Sequence, residues 1–289
     1  MRKKHKLIEI LLFLSPAAII IGFIYFFPLV KIFQYSFMKI AGVSFKYIGM
    51  RNYINLFNDP RFLIGIKNNF LLLISVPLIL IIATFFAVLL YERMAGWRFY
   101  RFTLFLPYIL AIPVIGVVFG YIFQLNGILN YFLEKLGLDF LIRDWFGSSK
   151  YSLWTLMFVI IWKELGFSII MIFARLLSVN QELYEAAEID GASWIKKHIY
   201  ITIPQCINVI SFLAVILFIT MFASIFNYVF TLTRGGPGTS TIVSEFYIYT
   251  TAFRDSNMGL GSAASVILFL IMLVLIIFYV KLFGKEEVD

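Results

Sequence analysis

Charged residues along the chain gather in clusters separated by long apolar runs, and these runs carry the architecture. Residues 10–30, 68–91, 102–133, 199–233 and 256–280 contain no Asp, Glu, Lys or Arg. A helix of about 20 residues crosses the hydrocarbon of a bilayer, so each run predicts one span. The stretch 151–174 is equally long and apolar apart from Lys163 and Glu164, which predicts a sixth. The runs 102–133 and 199–233 are too short for two crossings and a turn, so each is expected to be one span plus part of a loop. The expected fold class is an all-α membrane protein with six transmembrane helices.

Composition agrees and narrows the function classes. Hydrophobic residues make up 62% of the 289 residues and charged residues 14%, against roughly 45–50% and about 25% in a soluble domain. A soluble fold could not cover 33 Phe, 16 Tyr and 5 Trp with so few charges. The net charge of +8 would suggest nucleic acid in a soluble protein. Here it fits basic flanks beside anionic headgroups, and no nucleic-acid partner is expected. The single cysteine, Cys206, excludes an internal disulfide, and no Cys/His cluster offers a metal site. No phosphate-binding G-x-x-x-x-G-K-[ST] loop and no Ser/His/Asp set is present, so neither nucleotide binding nor enzymatic activity is expected of this chain. His5 and His198 read as solvated members of basic stretches.

The first run follows Arg2, Lys3, Lys4 and Lys6, as a secretory signal would. It exceeds a signal core of about 7–15 residues and ends in Phe27, Pro28, Leu29, Val30 and Lys31 rather than a small-residue cleavage site. A retained helix is expected. Basic residues nearly balance across the two sides of the membrane. The first helix and short loops carry most weight, and the early basic cluster with Arg93, Arg98 and Arg101 places both termini in the cytoplasm.

The connection 175–206 is the most informative. Asn180 can cap a helix that starts just after it. Leu183, Ala186, Ala187 and Asp190 then share one face, Glu182 and Glu185 another, and Gly191 can supply a left-handed end. A second approach to the membrane is closed by Pro204. This reads as a docking surface; a solvated charged loop is the alternative.

Glu185-Ala186-Ala187 followed by Gly191, Ile201 and Pro204 resembles the cytoplasmic signature of permease subunits of binding-protein-dependent ABC importers, with Ile203 where that family usually has Leu. Phe105-Leu106-Pro107-Tyr108, Trp162-Lys163-Glu164-Leu165-Gly166-Phe167 and Thr233-Arg234-Gly235-Gly236-Pro237 are similar to the carbohydrate-uptake branch, in particular its maltose or glycerol-phosphate type first permease. The resemblance covers residues 65–285 as a permease core, with 1–64 as a weaker extension comprising the first helix and its loop, and 286–289 as a tail.

The resemblance implies a type I importer permease fold in a prokaryotic cytoplasmic (inner) membrane, moving a sugar, an oligosaccharide or related polyol, by alternating access. It implies a second permease subunit, two copies of a cytoplasmic ATPase that hold ATP and Mg, and an extracytoplasmic solute-binding protein. A coupling helix at about 181–191 would engage the ATPase through Glu185, Ala186, Ala187, Asp190 and Gly191, with Pro204 beyond it. The implied substrate path takes Leu165, Gly166 and Ile169 from the fourth span and Thr220, Ser224 and Asn227 from the fifth. Ile169 stands where relatives can carry an aromatic ring.

The residues leave alternatives. Thr220, Ser224 and Asn227 recur at i, i+4 and i+7 and form one polar stripe; either it faces a solute path, or its hydroxyls bond back to the helix and its small residues ease packing. Lys163 and Glu164 point about 100° apart on a helix and need separate partners, across helices or along the path. In an ion-coupled secondary transporter these two would carry the coupling charge.

Overall fold

The computed structural model describes residues 13–41 and 44–283. The helices are α1 (Phe13–Ser36), α2 (Arg51–Phe57), α3 (Pro60–Leu72), α4 (Ser75–Tyr91), α5 (Trp97–Ile109), α6 (Ile112–Ile122), α7 (Ile128–Lys135), α8 (Ser152–Leu176), α9 (Glu182–Ile189), α10 (Trp194–Ala223), α11 (Phe226–Leu232), α12 (Ser244–Tyr249) and α13 (Met258–Phe283). An antiparallel hairpin of β1 (Met38–Ala41) and β2 (Ser44–Tyr47) lies between α1 and α2. Among the described residues, α1, α3 with α4, α8, α10 and α13 are long and apolar enough to cross a membrane, and α5 with α6 makes a sixth candidate bent by 102°. His5, the basic cluster before it and the tail 286–289 lie outside the described residues.

Two apolar runs each hold one candidate span, as expected, but both contain a helix break that was not expected. In 102–133 the chain breaks at Leu110 and Ala111, both extended at ψ 135° and 139°. Pro107 lies inside α5 and Pro113 opens α6. Pro113 has no N–H for the carbonyl one turn back, so the helix cannot run through. In 199–233 α10 stops at Ala223, where Ser224 leaves helical geometry at φ −137°, and α11 restarts at Phe226. Both breaks sit in apolar sequence, where a count of charges does not register them.

Residue contacts divide the chain into two compact units, one of residues up to Phe62 together with Tyr247–Ile271, the other of Leu63–Phe246 with residues from Met272 on. Within the first unit, Asn52 donates to the Ser36 and Met38 carbonyls at 2.9 Å each, pinning α2 to the hairpin, and Arg61 lies 3.4 Å from both Asp59 and Asp255. Within the second, Ala83 and Ala87 are fully buried with Val88, Ile169, Ile172, Phe173 and Leu176. Small residues one turn apart let α4 approach α8 closely, and close van der Waals packing is what associates helices in lipid.

Candidate functional site

The breaks create the site. Where α5 ends, its last carbonyls have no helical partner, and in hydrocarbon each unsatisfied group costs several kcal/mol. Lys163, buried on α8, donates from Nζ to the Tyr108 carbonyl at 2.9 Å and lies 4.8 Å from the centre of the Tyr108 ring. Its neighbour Glu164 accepts from the Tyr228 hydroxyl at 2.7 Å. The two charges have separate partners on different helices, as their divergent directions require.

Both also line a cavity of about 430 Å³ between α5, α8, α10 and α11, together with Phe167, Thr220, Ser224 and Asn227. The predicted stripe therefore meets at one cavity, but on two helices: the break at Ser224 separates Thr220 from Asn227. Thr220 donates back to the Ile216 carbonyl at 2.9 Å, which leaves its lone pairs toward the cavity. Ser224 and Asn227 are exposed, and among the described residues neither side chain has a hydrogen-bond partner. One wall is aromatic, with Phe167 stacked on Tyr108 at 5.0 Å and an interplanar angle of 21°.

Leu165, Gly166 and Ile169 lie elsewhere. Ile169 is fully buried in the α4–α8 core and Leu165 packs against that core. A Cβ on Gly166 would sit 2.7 Å from the Leu104 carbonyl and 3.2 Å from the Phe105 Cα, so this glycine is where α5 crosses α8. The three turn from the cavity because α8 uses that face for packing. Phe167 and Tyr108, which supply the aromatic surface that Ile169 lacks, carry no signal except their place in the quoted motifs.

At the other end of α8, the chain forms the expected short helix. The Asn180 Oδ1 accepts the Glu182 amide at 3.1 Å. Gly191 has φ +73°, its amide donates to the Glu188 carbonyl at 3.0 Å, and the Ala192 amide reaches the Ala187 carbonyl at 2.9 Å. This pair of bonds closes a helix on a left-handed residue. Tyr184, absent from the predicted faces, is the anchor: it is buried and its hydroxyl bonds Thr202 at 2.8 Å. Leu183, Ala186, Glu185, Asp190 and Ile189 are exposed, Ile189 at 87%. Glu185 makes no ion pair among the described residues, whereas Glu188 is held by Lys197.

Two expectations for this segment are corrected. His198 is buried, 2.8 Å from the Thr202 hydroxyl and 3.1 Å from Glu92; it is a strut between α4, α10 and the anchor of α9. Pro204 does not close an approach, because α10 runs through it. The preceding turn widens to a π-helix at His198–Thr202, which accommodates a ring that cannot donate and would crowd the Tyr200 carbonyl.

The family described as binding-protein-dependent transport system inner membrane component matches residues 66–285. A probable ABC transporter permease of Pyrococcus horikoshii is 34% identical, covering 99% of each chain. The probable ABC transporter permease YurN of Bacillus subtilis is 34% identical over 96% of this chain and 97% of its own. The sulfoquinovosyl glycerol permease SmoG of Agrobacterium fabrum is 31% identical over 98% and 92%. A crystal structure of a bacterial ABC transporter involved in import of the acidic polysaccharide alginate superposes with a TM-score of 0.84 at 23% identity, covering 99% and 98% of the two chains, and shares the fold. The chain belongs to the binding-protein-dependent transport system inner membrane components, as a membrane-spanning permease subunit of the ABC importer type.

Proposed function

We propose that the chain moves a sugar, an oligosaccharide or related polyol, across the cytoplasmic membrane of a prokaryote by alternating access. The observation that carries this reading is the cavity at the two helix breaks, where Ser224 and Asn227 present unpaired polar groups opposite the stacked Phe167 and Tyr108. Hydroxyls need donors and acceptors, and a sugar ring's C–H face packs on aromatic carbon. The names of relatives support the class: sulfoquinovosyl glycerol, arabinooligosaccharide and sn-glycerol-3-phosphate permeases, the last two at 30% and 28% identity.

In this reading a second permease subunit completes the path, two ATPase copies hold ATP and Mg, and a solute-binding protein delivers the sugar. The segment of α9 with Glu185, Ala186, Ala187, Asp190 and Gly191, exposed except for the half-buried Ala187, docks in the ATPase and passes its closure through Tyr184 to the spans. A partner shifts a conformational equilibrium only through contacts that differ between states. Both termini and α9 lie on the cytoplasmic side. Lys163 and Glu164 hold the break together and border the path. Sealed vesicles containing the assembled complex test this: uptake requires internal ATP and external binding protein and persists after collapse of proton and sodium gradients. Ionophore-sensitive uptake without ATP would reject it.

A further inference from the structure

Arg98 and Arg101 are placed against the local electrostatics of α5. They sit one turn apart, so their charges repel. Arg98 also lies in the first turn, where the helix dipole disfavours a cation, and α5 has no acidic residue there. Neither makes an ion pair among the described residues. Instead each guanidinium lies over a ring, Arg98 5.7 Å from the centre of Trp97 and Arg101 5.5 Å from that of Phe173. The stems are thereby fixed while the N–H forks stay open. The two border a groove of about 460 Å³ whose remaining walls, Trp97, Phe102, Phe105 and Ile170, are apolar. Local rules are broken in this way where a ligand compensates.

We propose that this groove binds an anionic phospholipid, its phosphate held between Arg98 and Arg101 and an acyl chain lying along Phe102, Phe105 and Ile170. The phosphate relieves the repulsion of the two arginines and the misplaced charge at the helix start. Arginine forks match phosphate oxygens in pairs. The location fits, because α5 opens a candidate span, and the first turn of a span lies where headgroups meet hydrocarbon. The occupant is a lipid rather than a free anion because most of the groove is apolar and continues along α5.

The assembled complex in phosphatidylcholine nanodiscs, exposed to a photoreactive phosphatidylglycerol, tests this by mass spectrometry of the crosslinked peptides. Crosslinks are expected on residues 97–105, competed by unlabelled phosphatidylglycerol and by neither phosphatidylcholine nor inorganic phosphate. Arg98→Gln and Arg101→Gln are each expected to weaken labelling about fivefold, and the Lys variants, which keep the charge but lose the paired fork and the ring contact, are expected to fall in between. Equal competition by phosphatidylcholine, competition by inorganic phosphate, unchanged labelling in the double Gln variant, or an absence of label on residues 97–105 would each overturn the proposal. The competition experiments use the unaltered chain and stand if a variant fails to fold.

Discussion

The Lys163 ammonium caps the Tyr108 carbonyl at 2.9 Å, across the point where α5 breaks. A buried lysine inside a span thus has a structural assignment, because a broken helix in lipid must find a donor for each open carbonyl. Lys163→Met keeps the length and removes the donor. It is expected to lower the stability of the purified complex by about 1–3 kcal/mol, read as a fall in melting temperature in detergent. An unchanged melting temperature would reject the cap.

The end of α9 gives a second test. A Cβ at Gly191 meets nothing within 4 Å, so any effect of substitution comes from φ +73° alone. Gly191→Val should cost about 1–2 kcal/mol locally, whereas Gly191→Asn, which tolerates a left-handed backbone, should be milder. Glu185→Lys leaves the helix intact and reverses an exposed, unpaired charge. Both Gly191→Val and Glu185→Lys are expected to insert in the membrane yet lose ATPase co-purification and uptake. Normal values for both would remove α9 from the docking surface.

The spans, the Asn180 cap and the left-handed Gly191 were legible because each depends on local sequence: absence of charge over about 20 residues, or one residue's backbone preference. The helix breaks were not, since Pro107, Pro113 and Ser224 lie within apolar runs. The stripe of Thr220, Ser224 and Asn227 was read on one continuous helix, and it meets at the cavity although the helix does not continue. His198 carries no local sign of burial; its partners Glu92 and Thr202 come from two elements, one of them 106 residues away in sequence. The assignment of Ile169 came from the resemblance to carbohydrate permeases, which does not say which face of α8 the packing of α4 and α5 consumes in this chain.

Asn227 tests the polar wall. Asn227→Leu keeps similar bulk and removes one acceptor and a two-proton donor. If a sugar bonds there, unpaired hydroxyls cost on the order of 1–3 kcal/mol, and KM for uptake should rise about tenfold with normal assembly. Unchanged KM would reduce the stripe to packing.

Glu245 on α12 accepts the Phe226 amide at 2.9 Å, at the restart of the broken helix beside the cavity. Burial pushes its carboxyl from 4.5 up to about 7, against the backbone donors of Phe226 and Ile225, which favour the charged form. A raised carboxyl pKa means the folded state prefers the protonated group. Its contribution is therefore fully present below the ordinary value of 4.5 and is lost as pH rises through about 7. With the partial exposure of the side chain, the change is on the order of 1–2 kcal/mol. Melting temperature should fall between mildly acidic and mildly alkaline pH, and Glu245→Gln should flatten that slope.

The central claim is that solute passes the cavity at the Ser224 break. Cys206, the only cysteine, is buried, so Ser224→Cys adds a single reachable thiol with little change in size. In the assembled, transport-competent complex, a small maleimide is expected to label this thiol, and the transported sugar to protect it in proportion to occupancy. Labelling that the sugar leaves unchanged, at concentrations that saturate uptake, would contradict the account.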